Sequence, residues 1–440
     1  MDSFRITGGV PLKGEVLLSG AKNTASKMML ASVLTREEVI LSNVPRQQET
    51  EITQEIITAI GSQVLWTGEH QVSLCAKNVT AAEIKKFSRK NRLSILALPL
   101  LLHRIGEVFV PQVGGDKIGP RPVNFHLQTL EKMGAQIEEN LEGFGAHIQG
   151  RLQGALIELP YPSVGATESA IFAGVLAEGR TVIRNAAIEP DIQHLVMMLQ
   201  KMGAIIQINA GRTIEIIGVE ALHGCQMEII PDRMEAASYA CMALGTKGEI
   251  FVRKAQHEHM VTFLNTVRRI GGDYEVQEDG ILFCASGELH GIELETDTHP
   301  GFMTDWQQPF VVVLTQAKGT SIVHETVFQE RFGYTQELKR MGADINLFSN
   351  CLGESPCRFR GQNYKHSAVI TGPSKLHAEE VVVPDIRAGL ALVVAALVAE
   401  GTSTLVGIEH LDRGYERLEE KLLGVGAQIK RMHVEDTSVM

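Results

Sequence analysis

The chain has 440 residues, 44% hydrophobic and 21% charged, with 41 Lys plus Arg against 52 Asp plus Glu and a formal net charge of −11. This is ordinary usage for a folded protein of two or three domains. It excludes wholesale disorder, and the acidic balance without a basic block argues against a general nucleic-acid binder. No apolar run reaches the roughly 18 residues of a membrane span. The N-terminal stretch MDSFRITGGVPLKG lacks a signal-peptide layout, and the six cysteines form no Cys-x-x-Cys pair. A cytoplasmic location with reduced thiols is therefore expected.

Taken in chain order, the elements repeat. An apolar residue, Gly, a small residue, any residue and another apolar residue recur at Ile60-Gly61-Ser62-Gln63-Val64, Met133-Gly134-Ala135-Gln136-Ile137 and Met202-Gly203-Ala204-Ile205-Ile206. Three more copies follow at Ile270-Gly271-Gly272-Asp273-Tyr274, Met341-Gly342-Ala343-Asp344-Ile345 and Val425-Gly426-Ala427-Gln428-Ile429. The unit of about 70 residues exceeds the common helical solenoid repeats and suits a small α/β module. Each glycine closes an amphipathic helix, as with Ile192, Leu195, Val196, Leu199 and Met202 behind Asp191 as N-cap, and with Met260, Phe263, Leu264, Val267 and Ile270. A second helix per module is apolar nearly all round: 24–36, 94–102, 170–177, 236–244, 310–317 and 389–399. A helix without a polar face is a buried helix. Six modules predict an α/β protein of two three-module domains, helices central and sheets outside. The last interval is longer, and the excess is assigned to a loop or hairpin insertion within 349–378.

The buried helices open with polar residues that packing does not require: Lys22-Asn23, Arg92, Thr167-Glu168, Asp232-Arg233-Glu235, Asp305 and Asp385-Arg387. Buried helix starts gathered at one end of a domain attract anions through unpaired N–H groups and helix dipoles, and basic side chains strengthen that field. Two such faces opposed across a cleft would suit a substrate carrying several phosphates or carboxylates.

Several segments resemble the enolpyruvyl transferases, with the match running from residue 1 to about 432. They are Ser19-Gly20-Ala21-Lys22-Asn23, Gly114 to Val123, Ser163-Val164-Gly165-Ala166-Thr167, Pro231-Asp232-Arg233, His299 to Asp305, Glu325-Thr326-Val327-Phe328, Arg331-Phe332 and Asp412-Arg413-Gly414-Tyr415-Glu416-Arg417. The resemblance implies two inside-out α/β barrel domains, each of three pseudo-repeats with buried helices and outer sheets. One would cover 22–230 and carry a mobile loop, 112–121; the other would combine 1–21 with 231–440. It also implies transfer of the enolpyruvyl group of phosphoenolpyruvate to UDP-N-acetylglucosamine, with no organic cofactor and no metal.

By the same resemblance Lys22, Arg121, Arg331, Arg387 and Arg413 would bind phosphate, diphosphate or carboxylate groups, a task suited to guanidinium forks. Asn23 and Asp305 would lie at the sugar, with Asp305 taking the 3′-hydroxyl proton. Arg121, Pro122, Val123, Asn124, Phe125, Ser163, Val164, Gly165 and Val327 would line the nucleotide-sugar pocket, and Arg92, Tyr161 and Asp385 are further candidates for substrate contact. The resemblance makes Asp116 the loop general acid, in a place where most members carry Cys. Gln48, Tyr161, Asn124 and Leu96 depart from the family's usual residues. These departures keep two other readings open, a different nucleotide acceptor and a catalytically silent paralogue. His257-Glu258-His259 lacks the His-x-x-x-His spacing of a helical metal pair, and Cys351 and Cys357 read as two ordinary thiols.

Overall fold

The computed structural model describes residues 2–84, 91–114, 123–285, 287–354 and 357–433. They form two compact units. One gathers the ends of the chain, Met1–Ser19 and Pro231–Met440, and the other takes the described residues of 20–230.

The middle unit holds α1 (Lys22–Ala31), α2 (Gln48–Ala59), α3 (Ala97–Arg104), α4 (Asn124–Lys132), α5 (Val164–Gly174) and α6 (Pro190–Lys201). The unit of the chain ends holds α7 (Arg233–Gly245), α8 (Val261–Arg269), α9 (Thr304–Thr315), α10 (Thr335–Arg340), α11 (Ile386–Val398), the single turn α12 (Glu409–Asp412) and α13 (Leu418–Gly424). Helices α1, α3, α5, α7, α9 and α11 are the buried set. Every residue of α7 is buried, whereas α8 buries one stripe, Phe263, Leu264, Thr266 and Val267. The buried helices α7, α9 and α11 pack against one another. The sheets lie outside them with one face inward, as in Glu249–Arg253, where Ile250 and Val252 are buried and Glu249 and Arg253 exposed.

Each buried helix feeds the same kind of sheet. Around α5, Leu156–Glu158 pairs in parallel with Arg180–Arg184, which continues antiparallel through Thr213–Ile217 to Ile205–Asn209. Two sheets are completed by strands distant in sequence. Lys13–Leu17 runs parallel to Glu249–Arg253, and Gln226–Glu228 runs parallel to Glu38–Ser42. The first strand, Ser3–Thr7, is inserted between Thr402–Val406 and Gln428–Met432.

The repeated glycines share one backbone state. Gly61, Gly134, Gly203, Gly271, Gly342 and Gly426 all have positive φ, between 86° and 100°, just past the ends of α2, α4, α6, α8, α10 and α13. Only a residue without Cβ takes that geometry cheaply, so the repeat read from the sequence is a repeat of helix C-terminal stops. The structure corrects one boundary. Glu189, not Asp191, is the N-cap residue of α6, because Pro190 occupies the first helical position, where its fixed φ suits the start. Asp191 instead accepts a hydrogen bond from the Thr24 hydroxyl at 2.6 Å. The insertion narrows to 349–366, a hairpin connection between Asp344–Phe348 and Ser367–Gly372, whereas the equivalent turn in the preceding sheet is only 278–279.

Two glycines separate backbone strain from crowding. A Cβ on Gly426 would meet nothing nearer than the Lys13 carbonyl at 4.0 Å, while one on Gly342 would lie 2.8 Å from the Lys375 carbonyl oxygen. Gly426→Ala should therefore cost about 1–2 kcal/mol, the strain of left-handed backbone alone, and Gly342→Ala measurably more. Equal losses in urea-unfolding midpoints would contradict this account.

Candidate active site

In the unit of the chain ends, three buried helix starts meet. Asp232 caps α7 by accepting from the backbone N–H groups of Met234 and Glu235, and Asp385 caps α11 by accepting from those of Arg387 and Ala388. Asp385, a candidate for substrate contact, thus uses one carboxylate oxygen on its own helix. Asp305, in the first turn of α9, is held between two buried guanidinium groups. Arg331 donates to its Oδ1 at 2.6 Å and Arg387 to its Oδ2 at 3.1 Å. Arg387 also donates to the Tyr415 hydroxyl at 2.8 Å. Burial alone would lower the pKa of Arg387, but Tyr415, Asp305 and Asp232 outweigh it and push the pKa up, so the side chain stays a cation. Arg233 at the start of α7 reaches the Met303 sulfur beside α9, at 2.7 Å.

Glu325 organises the neighbouring turn. Its Oε1 accepts from the backbone N–H groups of Val327 at 2.8 Å and Phe328 at 3.0 Å, and its Oε2 accepts from the Thr304 hydroxyl at 2.9 Å. Burial raises its pKa, opposed by Arg331 and by these donors. Val327 is thereby fixed next to the start of α9. Arg413 lies at the end of α12, and the following Gly414 leaves no room for a Cβ, which would sit 2.5 Å from an Ile386 methyl at the start of α11. Asp305, Arg331, Arg387, Val327 and the chain at Arg413 are therefore local to one group of helix starts. Glu325 and Tyr415 were not singled out from the sequence, although both lie inside motifs that carry the resemblance.

The middle unit has its own group. Lys22 is buried in the first turn of α1, and Asn23 beside it is half-buried. Ser163 caps α5, its hydroxyl accepting from the Ala166 N–H at 3.4 Å, and its own N–H donates to the Tyr161 carbonyl at 2.7 Å. Val164 and Gly165 form the first turn of α5. A Cβ at Gly165 would lie 3.3 Å from the ring of His126. His126 is on α4, which begins at Asn124 and Phe125 with Val123 as N-cap. Burial, with the positive charge of Arg92, pulls its pKa down to about 3, so it is a neutral imidazole, and its Nδ1 has no hydrogen-bond partner among the described residues. His126 thus links the Arg92, α4 and α5 starts. It follows directly on Asn124 and Phe125, and the sequence gives it no signal because a lone histidine on an apolar face carries no pattern. Of the departures from the family pattern, Gln48 opens α2 half-buried, Leu96 is core, Tyr161 is half-buried and Asn124 is exposed. Asp116, Arg121 and Pro122 lie outside the described residues.

The chain that carries these groups matches a known family. A profile described as EPSP synthase (3-phosphoshikimate 1-carboxyvinyltransferase) matches residues 6–422. Among curated proteins, the UDP-N-acetylglucosamine 1-carboxyvinyltransferase of Protochlamydia amoebophila is 48% identical, over 99% of this chain and 95% of its own length. That of Chlamydia muridarum is 46% identical, over 98% of each. Among solved structures, the enolpyruvyl transferase NikO from Streptomyces tendae superposes with a TM-score of 0.86 at 23% identity, covering 99% of both chains. EPSP synthase from Acinetobacter baumannii superposes with a TM-score of 0.76 at 17% identity, over 98% of this chain and all of its own. The chain belongs to the EPSP synthase family of carboxyvinyltransferases.

Within the middle unit, Glu168 gives a pH test. It is fully buried on α5, 4.0 Å from Lys27, with Asp191 and Glu189 nearby, and burial raises its pKa from 4.5 to about 7. A carboxyl that keeps its proton to about pH 7 in the fold, but loses it near 4.5 when unfolded, supports the fold fully below pH 4.5. That support is lost as pH rises through about 7. Glu168→Gln, which cannot ionise, should therefore gain stability relative to the parent between pH 5 and pH 8.5, by up to about 3 kcal/mol. A pH-independent difference in unfolding midpoint would refute the assignment.

Proposed function

We propose that this protein transfers the enolpyruvyl group of phosphoenolpyruvate to the 3′-hydroxyl of UDP-N-acetylglucosamine in the cytoplasm and releases inorganic phosphate. The observation that carries the reading is Asp305 at the start of a buried helix, clasped by Arg331 and Arg387. Support comes from full-length relatives that bear this activity in their names.

In this reading Asp305 accepts the 3′-hydroxyl proton as the sugar oxygen bonds to C2 of phosphoenolpyruvate, while Asp116 delivers a proton to C3. The tetrahedral adduct then returns a proton from C3 to Asp116, and the C2–O bond to phosphate breaks as the phosphate leaves with the proton held by Asp305. Lys22, Arg121, Arg331, Arg387 and Arg413 hold the carboxylate, phosphate and diphosphate groups, because charge-assisted hydrogen bonds from preorganised cations stabilise anions in place before charge develops. Asn23 assists at the sugar. Arg92, Pro122, Val123, Asn124, Phe125, Tyr161, Ser163, Val164, Gly165 and Val327 shape the nucleotide-sugar pocket. The steps as written use no organic cofactor.

Phosphate release measured with phosphoenolpyruvate and UDP-N-acetylglucosamine should be robust and should fall by about 10²–10⁴ in kcat for Asp305→Asn. A variant within about threefold of the parent would remove Asp305 from the chemistry, and turnover with UMP but not the nucleotide sugar would reassign the acceptor. Because Asp116 stands where most members have a thiol, fosfomycin should leave the enzyme unmodified and active. An adduct at Asp116 in intact-mass analysis would contradict this.

A further inference from the structure

The sequence spacing indicates no metal centre, yet the fold brings four metal-ligand side chains together at the insertion. The ligand atoms of His324, Cys351, Cys357 and His366 all lie within 4.8 Å of one another. His324 ends the strand Gly319–His324, Cys351 and Cys357 belong to the inserted connection, and His366 immediately precedes Ser367–Gly372. We propose that these four residues form a tetrahedral Cys₂His₂ zinc site that clasps the inserted hairpin, separate from the catalytic reading above.

Three features of the surroundings support a ligand rather than a chance meeting of thiols. First, both histidines have their second ring nitrogen engaged as a metal-bound imidazole requires. His324 Nδ1 is 3.2 Å from the Glu295 carboxylate, and His366 Nδ1 is 2.7 Å from the Tyr364 carbonyl. The Nε2 atoms are thereby left for the cluster. Second, His324 is fully buried and its Nε2 has no hydrogen-bond partner among the described residues, an expensive state that an ion would relieve. His366 Nε2 faces the Cys351 sulfur at 3.4 Å, and the two imidazole rings are 5.4 Å apart. Third, the loop is shaped to pack over this pair. A Cβ at Gly353 would lie 2.3 Å from His324 Nδ1 and 2.5 Å from Glu295 Oε2, and the Glu354 N–H donates to the other Glu295 oxygen at 2.8 Å. The Phe359 N–H points at the Cys357 sulfur at 3.3 Å, where it would stabilise a thiolate.

Zinc fits the donor set. Two thiolates and two neutral imidazoles make the S₂N₂ tetrahedron typical of structural zinc, and two thiolates balance the dication, their protons passing to solvent on binding. With Zn–S near 2.3 Å and Zn–N near 2.0–2.1 Å, the ligand atoms need only shift by about an ångström or less to reach bonding positions. Cys351, Gly353 and Cys357 also line a cavity of about 700 Å³, which provides an entry path. The closed hairpin has a mechanical consequence, since Arg358, next to Cys357, donates to the Val327 carbonyl in the turn organised by Glu325.

The full-length protein, purified under reducing conditions without chelator, should contain about one zinc per chain by elemental analysis. Cobalt reconstitution should give intense thiolate-to-cobalt absorption. Cys351→Ser combined with Cys357→Ser should reduce bound zinc at least tenfold and abolish the cobalt spectrum, while His257→Ala leaves both unchanged. Chelation of the parent should lower its Tm by several degrees. A reduced parent chain that binds neither zinc nor cobalt overturns the proposal, as does a Cys351–Cys357 disulfide, seen as the loss of two hydrogens in the mass of the protein purified without reductant.

Discussion

The constraint on which this structure depends is the burial of helix starts. A buried helix leaves several N–H groups unpaired at its N-terminus, and a core cannot tolerate them unpaired. The unit of the chain ends solves this with Asp232 and Asp385, whose carboxylates accept N–H groups of α7 and α11. A third carboxylate, Asp305 in the first turn of α9, is neutralised and oriented by arginines. Arg387 contacts Asp305 and Tyr415, and Arg331 contacts Asp305 from another side. Caps and paired charges thus gather at one group of helix starts, with Asp305 lying between Arg331 and Arg387.

A second constraint is topological. Each module is too small to bury its own apolar helix, so three share one core, and each unit is completed by a strand distant in sequence. Lys13–Leu17 and Ser3–Thr7 complete sheets built from the C-terminal half, while Gln226–Glu228 completes the sheet that begins with Glu38–Ser42. The N-terminus is thus a structural member of the C-terminal unit. Ser19 continues this role, its N–H donating to Glu235 and its hydroxyl to Glu416.

The insertion shows how a local elaboration can be tied back into such a fold. Closing a long hairpin connection costs chain entropy, and cross-linking it to the end of a neighbouring strand is an economical way to order it. His324 is well placed for this because it directly precedes Glu325, the residue that fixes Val327 and Phe328. A clasp at the hairpin and the shape of the neighbouring turn are then coupled through two successive residues, the last of a strand and the first beyond it.

Much of the architecture was legible in the chain because it rests on short-range rules. The six Gly-small motifs are helix stops that demand positive φ, the all-apolar helices can only be interior, and the charges before them can only be helix starts. The resemblance names Lys22, Ser163, Asp305, Arg331 and Arg413 as candidates within contiguous stretches, and Arg387 stands out by its place before a buried apolar helix. What required the tertiary structure was every pairing across sequence. It settled that Asp305 sits between Arg331 and Arg387, that Asp385 serves its own helix, that His126 lies against Gly165, and that Pro190 displaces Asp191 from the cap of α6. It also brought His324 and His366 to Cys351 and Cys357, ligands whose spacing follows no local motif. The physical reason is the same in each case. Periodicity and capping are decided within a few residues of backbone, whereas a buried charge or an unpaired imidazole is decided by whichever distant side chain the packing of helices and strands delivers beside it.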